Sequence, residues 1–144
     1  MVIAPSQKRL VKSLKGVPLF TGMSNSHLQK LAKEVKLKSF AAGEMILKEG
    51  VYGVGFYLVL KGKVQAKKGN RVLKELGGGQ FFGEMTLLEG SPRSADVVAV
   101  EPTKCFFLSF WDFQEIMRED PTITEVILKE LVRRLRETDE MLSV

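Results

Sequence analysis

The chain has 144 residues, of which 44% are hydrophobic and 27% charged, a composition that is typical of one globular domain and excludes a disordered chain. The single cysteine, Cys105, excludes an intramolecular disulfide and is consistent with a reducing compartment. The apolar opening is too short for a signal peptide and no apolar run approaches the roughly 18 residues of a membrane span, so we expect a cytoplasmic protein that does not contact membranes.

The net charge of +5 comes from basic residues dispersed along the chain. Such a balance is compatible with nucleic acid or a membrane surface as a partner, and equally with a small anionic ligand. A solvated helical face explains most of the basic residues near the two ends, so the charge does not decide between these partners.

The first elements are predicted to be helical. Apolar residues at helical spacing predict a short helix over residues 8–15, which Gly16-Val17-Pro18 ends. Ser24 is a suitable N-cap for a second helix that runs to about Val35.

From Lys36 onward the pattern becomes strand-like. Short segments rich in β-forming residues alternate with glycine-containing turns, and Gly69-Asn70 is typical of a hairpin turn. Regular spacing of such segments indicates an antiparallel barrel or jelly roll. The predicted strands cover residues 36–41, 44–48, 56–61, 63–67, 71–76, 94–100 and 103–110.

Helix returns at the C-terminal end. Ser109 can cap a helix that starts near Phe110, and Asp120-Pro121 is a second start signal because proline suits the first helical position. An apolar stripe then marks a helix reaching the C-terminus; its members are Ile123, Val126, Ile127, Leu131, Leu135, Met141 and Leu142.

The segment 77–99 carries the residues suited to binding chemistry. Residues 83–88 can form one helical turn whose first amides attract anions, and Arg93 can donate two hydrogen bonds to a phosphate. Glu84 lies between apolar residues and needs donors, which a ribose hydroxyl could supply. These residues fit a phosphate site beside a sugar site; a Glu84–Arg93 ion pair is the structural alternative.

The same segment resembles the phosphate-binding cassette of the cyclic nucleotide-binding domain family. The matching residues are 82–88 (FGEMTLL) and 92–95 (PRSA), and the motif order elsewhere also matches from Pro18 to Arg136. The resemblance implies a mainly β fold with flanking helices: an N-terminal helical segment over 1–17, a nucleotide-binding β-roll over 18–120 and a C-terminal lid helix over 121–144.

The resemblance also implies the ligand and its contacts. The chain would bind cAMP or cGMP reversibly as a sensor, with no metal and no catalysis: Arg93 would hold the cyclic phosphate, Glu84 would accept the ribose 2′-hydroxyl, and Arg134 on the lid would contact the base. Ser94, which follows Arg93, does not decide between cAMP and cGMP as the ligand. The expected ligand-binding residues are Phe82, Gly83, Glu84, Met85, Thr86, Arg93, Ser94, Ala95 and Arg134.

Other classes of protein fit the sequence less well. A metal-dependent enzyme on a similar roll needs several histidines, whereas this chain has only His27, which we expect on the surface. Cys105 lies in a strand and is interpreted as a buried thiol, and Gly77-Gly78-Gly79 is not followed by the residues of a P-loop. We therefore expect a binding module and not an enzyme.

Two alternatives within the family remain open. The chain could be the sensor part of a larger transcription regulator or channel. Transcription regulators of this kind carry a helix-turn-helix after the long helix, and because this sequence shows none there, no direct nucleic-acid binding is expected of it. It could also be a ligand-free interaction domain. The C-terminal helix could in addition pair two copies or contact an effector protein.

Overall fold

A computed structural model describes residues 5–51, 54–89 and 94–140. The chain divides into two compact units: a β unit over residues 35–114, and a helical unit formed by the segments on either side of it. The elements are the helices α1 (Pro5–Lys15), α2 (Asn25–Glu34), α3 (Phe110–Glu119) and α4 (Pro121–Glu140), and the strands β1 (Lys36–Phe40), β2 (Met45–Leu47), β3 (Gly55–Lys61), β4 (Lys63–Lys68), β5 (Arg71–Gly77), β6 (Phe81–Phe82), β7 (Asp96–Ala99) and β8 (Thr103–Ser109).

The β unit is an antiparallel roll. Its described strands form a sheet of order β1-β8-β3-β6 and a sheet of order β2-β7-β4-β5. The predicted roll with flanking helices is therefore confirmed, and each predicted strand is found with ends shifted by up to two residues. The strand expected over 94–100 begins only at Asp96, and the two-residue strand β6 was not predicted.

The predicted turn at Gly69-Asn70 joins β4 to β5, with Lys68 opposite Arg71. Gly69 has a φ of +58°, and no other type of residue has a positive φ in the described ranges. Only one of the two turn residues therefore uses the left-handed region, as in a type II′ turn, whereas a type I′ turn needs it at both.

The core of the roll is apolar and aromatic. Tyr57 on β3 stacks on Phe82 with ring centres 4.9 Å apart and also contacts Phe107 on β8. Cys105 on β8 belongs to the same buried cluster. The prediction of a buried thiol is confirmed, and burial raises its pKa to about 11.

The helical unit shows the predicted start of α2. The amide of His27 donates to the Ser24 hydroxyl at 3.1 Å, and the amide of Ser24 donates back to His27 Nδ1 at 3.4 Å, a reciprocal cap that satisfies two amides. His27, expected on the surface, is partly buried: its side chain is 15% exposed and its Nε2 lies 2.8 Å from the hydroxyl of Thr122 on α4.

Helix α4 begins at Pro121 as predicted, with the Thr122 amide donating to the Asp120 carboxylate at 3.1 Å. Ile123 and Ile127 are buried, but the apolar stripe does not stay buried along the helix, because Leu135 is 61% exposed. Met141 and Leu142 lie outside the described residues. None of the described helices is long and apolar enough to cross a membrane.

Candidate functional site

The centre of the predicted site is a short 3-10 turn, Glu84–Leu87, between β6 and the loop that leads to β7. Gly83 precedes it with a φ of +82°, a conformation that glycine adopts without a steric cost. The amide of Thr86 donates to the Gly83 carbonyl at 3.1 Å and forms the first bond of the turn. The amide of Met85 precedes this bond and has no acceptor within the turn. We call Gly83–Leu87 the cassette turn.

Contacts on both sides hold the cassette turn against the roll. Phe82, immediately before it, pairs with Tyr57 on β3 and stacks on its ring with an interplanar angle of 9°. The side-chain amide of Gln114 donates to the carbonyl of Leu87 at 2.9 Å. Because both anchors belong to regular elements, the backbone of the turn is positioned before any ligand arrives.

The side chains of the cassette turn differ in exposure. Leu87 is fully buried and Thr86 nearly so, whereas Met85 is 47% exposed. Glu84 is half-buried at the start of the turn. Leu87 and Thr86 therefore fix the turn to the core, while Met85 is accessible; Gly83 and Glu84 are half-buried, and Oε2 of Glu84 is buried.

The second half of the predicted site follows after a gap. Arg93, the residue expected to hold the phosphate, lies outside the described residues. Ser94 is exposed and Ala95 half-buried, and both precede β7 directly. Asp96, the first residue of β7, accepts a hydrogen bond from the Glu49 amide at 2.7 Å, which ties this end of the loop to the segment after β2.

Arg134, the expected base contact, lies on α4 in the helical unit. Its Nε lies 3.4 Å from a carboxylate oxygen of Glu130, one turn earlier on the same helix. Glu130 is buried and also binds Arg133. The hydrogen bonds of Arg133 and then of Arg134 hold the pKa of the Glu130 carboxyl below its usual value, against the effect of desolvation. The base contact of Arg134 stays a prediction.

Metal chemistry has no evident site in the parts of the chain that the structure describes. No group of three or more histidine, cysteine, aspartate or glutamate side chains comes together there. His27 caps a helix and Cys105 is buried in the roll.

Sequence reasoning missed two residues that position the site. Gln114 lies on a predicted helix, and nothing in its neighbours marks its bond to Leu87 because the two residues are 27 positions apart. Asp96 lies inside the predicted strand 94–100, and its carboxylate accepts from the Glu49 amide across 47 positions. An acidic residue inside a predicted strand is the signal that the sequence offers.

Comparison with known proteins places this geometry in a family. Residues 37–120 match the family model of the cyclic nucleotide-binding domain. The chain is 35% identical over 131 residues to the cyclic AMP receptor protein of Thermus thermophilus, which covers 88% of this chain and 61% of the receptor. The chain thus spans about three fifths of that relative's length.

Solved structures agree with this result. The N-terminal domain of a transcriptional regulator from Streptomyces coelicolor A3(2) superposes with a TM-score of 0.82 at 26% identity, covering 92% of this chain and 96% of that domain. The cAMP-bound structure of PfPKA-R superposes with a TM-score of 0.67 at 30% identity, covering 94% of this chain and 47% of that one. With its roll, its cassette turn and its matched residues, the chain belongs to the cyclic nucleotide-binding domain family.

Proposed function

We propose that this chain is a sensor module that reversibly binds a 3′,5′-cyclic nucleotide and makes or breaks no covalent bond. The observation that carries the proposal is the cassette turn, in which a left-handed glycine opens a short 3-10 turn on a roll that matches the family. The cAMP-bound relative of similar fold is consistent with this ligand class.

Each part of the nucleotide has a residue suited to it. The cyclic phosphate would be bound by the guanidinium of Arg93 and by main-chain amides at Gly83, Met85, Ser94 and Ala95, since charge-assisted hydrogen bonds are the stronger class. Thr86, whose amide already donates to the Gly83 carbonyl at 3.1 Å, would contribute by fixing the turn. The carboxylate of Glu84, half-buried at the start of the turn, would accept the ribose 2′-hydroxyl. Phe82 would support the turn through its stack on Tyr57.

The test is calorimetric titration of the full chain with cAMP and cGMP, repeated for three variants. We expect Arg93→Ala to weaken binding by at least roughly a hundredfold, because two hydrogen bonds of about 1.5–3 kcal/mol each to a charged group are lost. Glu84→Ala should cost about tenfold, because one hydrogen bond to the sugar is lost. Arg118→Ala removes the same charge from an exposed position on α3, paired only with Glu115 at 3.6 Å in the described part of the chain, and should leave the affinity unchanged.

Two results would contradict the proposal. Unchanged binding in Arg93→Ala would mean that the assigned phosphate site is wrong. Absence of binding by the parent chain at millimolar nucleotide would favour the alternative, a ligand-free interaction domain of the same fold.

The partner of the sensor is a separate proposal. Because the chain spans 61% of the Thermus receptor, we propose that it acts as the sensor part of a larger assembly or pairs with a second copy or an effector. On α4, Leu128, Val132 and Leu135 are 57%, 47% and 61% exposed. To test pairing through this surface, these three residues would be replaced with polar ones. The molecular masses of the parent chain and of the variant would then be compared by light scattering.

A further inference from the structure

Helix α1 carries only positive charge. It contains Lys8, Arg9, Lys12 and Lys15 and no carboxylate, and none of these four side chains forms a salt bridge with another described residue. Like charges four positions apart on a helix, such as Lys8 and Lys12, destabilise it. The helix would therefore be more stable with an acidic partner beside it, and that partner has to come from another molecule.

Three of these basic residues form a row along the exposed side of the helix. With about 3.6 residues per turn, positions 8, 12 and 15 fall within an arc of about 60°. All three lysines are exposed, whereas Leu10 and Leu14, on the other side of the helix, are 5% and 0% exposed. We call Lys8, Lys12 and Lys15 the basic row.

A row of the opposite charge lies on α3 and consists of Asp112, Glu115 and Glu119, which also fall within an arc of about 60°. Asp112 is half-buried and the two glutamates are exposed. Among the described residues only Glu115 of this row has a salt-bridge partner, Arg118 at 3.6 Å, and an exposed pair of this kind contributes little to stability. The charge of this acidic row is therefore available to cations from outside the helix.

The two rows match in spacing when their helices run antiparallel. From Lys15 toward the N-terminus the basic row has steps of three and four residues, and from Asp112 toward the C-terminus the acidic row has the same steps. Packed helices lie about 8–10 Å apart, a separation that long charged side chains can bridge. The antiparallel arrangement pairs Lys15 with Asp112, Lys12 with Glu115, and Lys8 with Glu119.

We propose that the basic row of one chain docks on the acidic row of a second copy. This contact does not depend on nucleotide binding, and its surface is separate from the exposed apolar residues of α4. In a two-fold dimer the contact occurs twice, because each copy offers both rows. Trp111 is 63% exposed and lies one turn before Glu115, beside the acidic row, so docking would cover its ring.

The test combines analytical ultracentrifugation with the fluorescence of Trp111, the only tryptophan of the chain. We expect the parent chain to associate with a Kd of roughly 0.1–1 mM at low salt, since exposed salt bridges are individually weak. The emission of Trp111 should move to shorter wavelength as the chain concentration rises. Because salt screens exposed charges, association should weaken at least about tenfold between about 0.05 and 0.5 M salt.

Two charge-reversal variants identify the rows. Lys8→Glu with Lys12→Glu reverses the basic row, and Glu115→Lys with Glu119→Lys reverses the acidic row. Each variant alone should associate at least about tenfold more weakly than the parent, because like charges then face each other. An equimolar mixture of the two should recover the parent affinity to within about threefold, since every contact between unlike variants again joins opposite charges. Circular dichroism of each variant checks that its helices are retained.

Lys61→Glu with Lys104→Glu is the matched control. It makes the same change in net charge at two exposed lysines of the roll and should alter the affinity by no more than about twofold. A parent chain that stays monomeric at about 1 mM, a mixture that associates no better than its separate variants, or a loss as large in the control would each overturn the inference. None of these results bears on the calorimetric test of nucleotide binding.

Discussion

Gly62, between β3 and β4, has a backbone conformation and surroundings that only glycine fits. Its φ is +106°, and a Cβ atom at this position would lie 2.5 Å from the Thr103 hydroxyl oxygen and 2.6 Å from the Pro102 carbonyl oxygen. Thr103 cannot move away freely, because its buried hydroxyl accepts from the Lys63 amide at 3.2 Å and donates to the Glu101 carbonyl at 2.8 Å. This close approach joins the start of β4 to β8.

We expect Gly62→Ala to lower the free energy of unfolding by at least about 2 kcal/mol, from the left-handed φ together with the steric overlap. Gly43→Ala is the control, since Gly43 has a φ of +85° but nothing within 4 Å of the added atom, so it should cost only about 1 kcal/mol. Urea unfolding of both variants measures the difference. Equal losses would show that the contact with Thr103 is unimportant.

At the scale of elements, the helix starts are where local sequence predicted best. Ser24 caps α2, and the hydroxyl of Ser109 accepts from the Asp112 amide at 3.0 Å at the start of α3. These caps were predictable because a cap is made by a side chain and an amide two or three residues away. Strand β6 was missed, because two residues after a glycine run carry no period and pair only where Tyr57 and Leu58 are available.

The start of α4 is stabilised by charge as well as by a cap. Asp120 binds Lys30 on α2, as well as the amide and hydroxyl of Thr122. The hydrogen bond from Lys30, followed by those from Thr122, lowers the pKa of the Asp120 carboxyl to about 2. A carboxyl whose pKa is lower in the folded state stabilises the protein above its unfolded pKa and loses this effect as the pH falls through its folded pKa.

We expect Asp120→Asn to be less stable than the parent at pH 6 and to approach it in stability between about pH 4 and pH 2, the interval between the ordinary pKa of an aspartate and the lowered value. Asparagine is as good an N-cap as aspartate, so the variant removes the charge and keeps the cap. Denaturant unfolding across this pH range measures the effect. A difference that does not change with pH would contradict the assignment to Lys30 and would point to the cap.

At the scale of the whole molecule, binding and folding are linked. A ligand that binds only the folded chain stabilises it by about 2.7 kcal/mol at about a hundred times its Kd. For a chain of this size that corresponds to a rise in Tm of roughly 5–10 °C. We expect this rise with saturating cyclic nucleotide in a thermal melt of the parent chain, and a rise of at most about 1–2 °C in Arg93→Ala at the same concentration. A rise of the same size in both would place the ligand elsewhere.

The class of fold, the family and the starts of α2, α3 and α4 could be predicted from the amino-acid sequence, whereas α1 begins at Pro5 and not at residue 8. Each of these depends on residues close together along the chain: alternating apolar residues, capping side chains, and the residues 82–88 with 92–95. These features can be predicted from sequence because local backbone geometry and side-chain chemistry act over only a few positions along the chain.

The tertiary structure alone decided which distant residues meet. The side-chain amide of Gln114 donates to the Leu87 carbonyl, the Asp96 carboxylate accepts from the Glu49 amide, and His27 forms a hydrogen bond with Thr122. Likewise, Lys74 is opposite Ala66, Ala66 is opposite Val97, and Val97 is opposite Leu47 only because four strands pair in one register. Pairing between strands is set by the packing of the whole roll, and no local pattern in β5 indicates which residue of β7 will share its face.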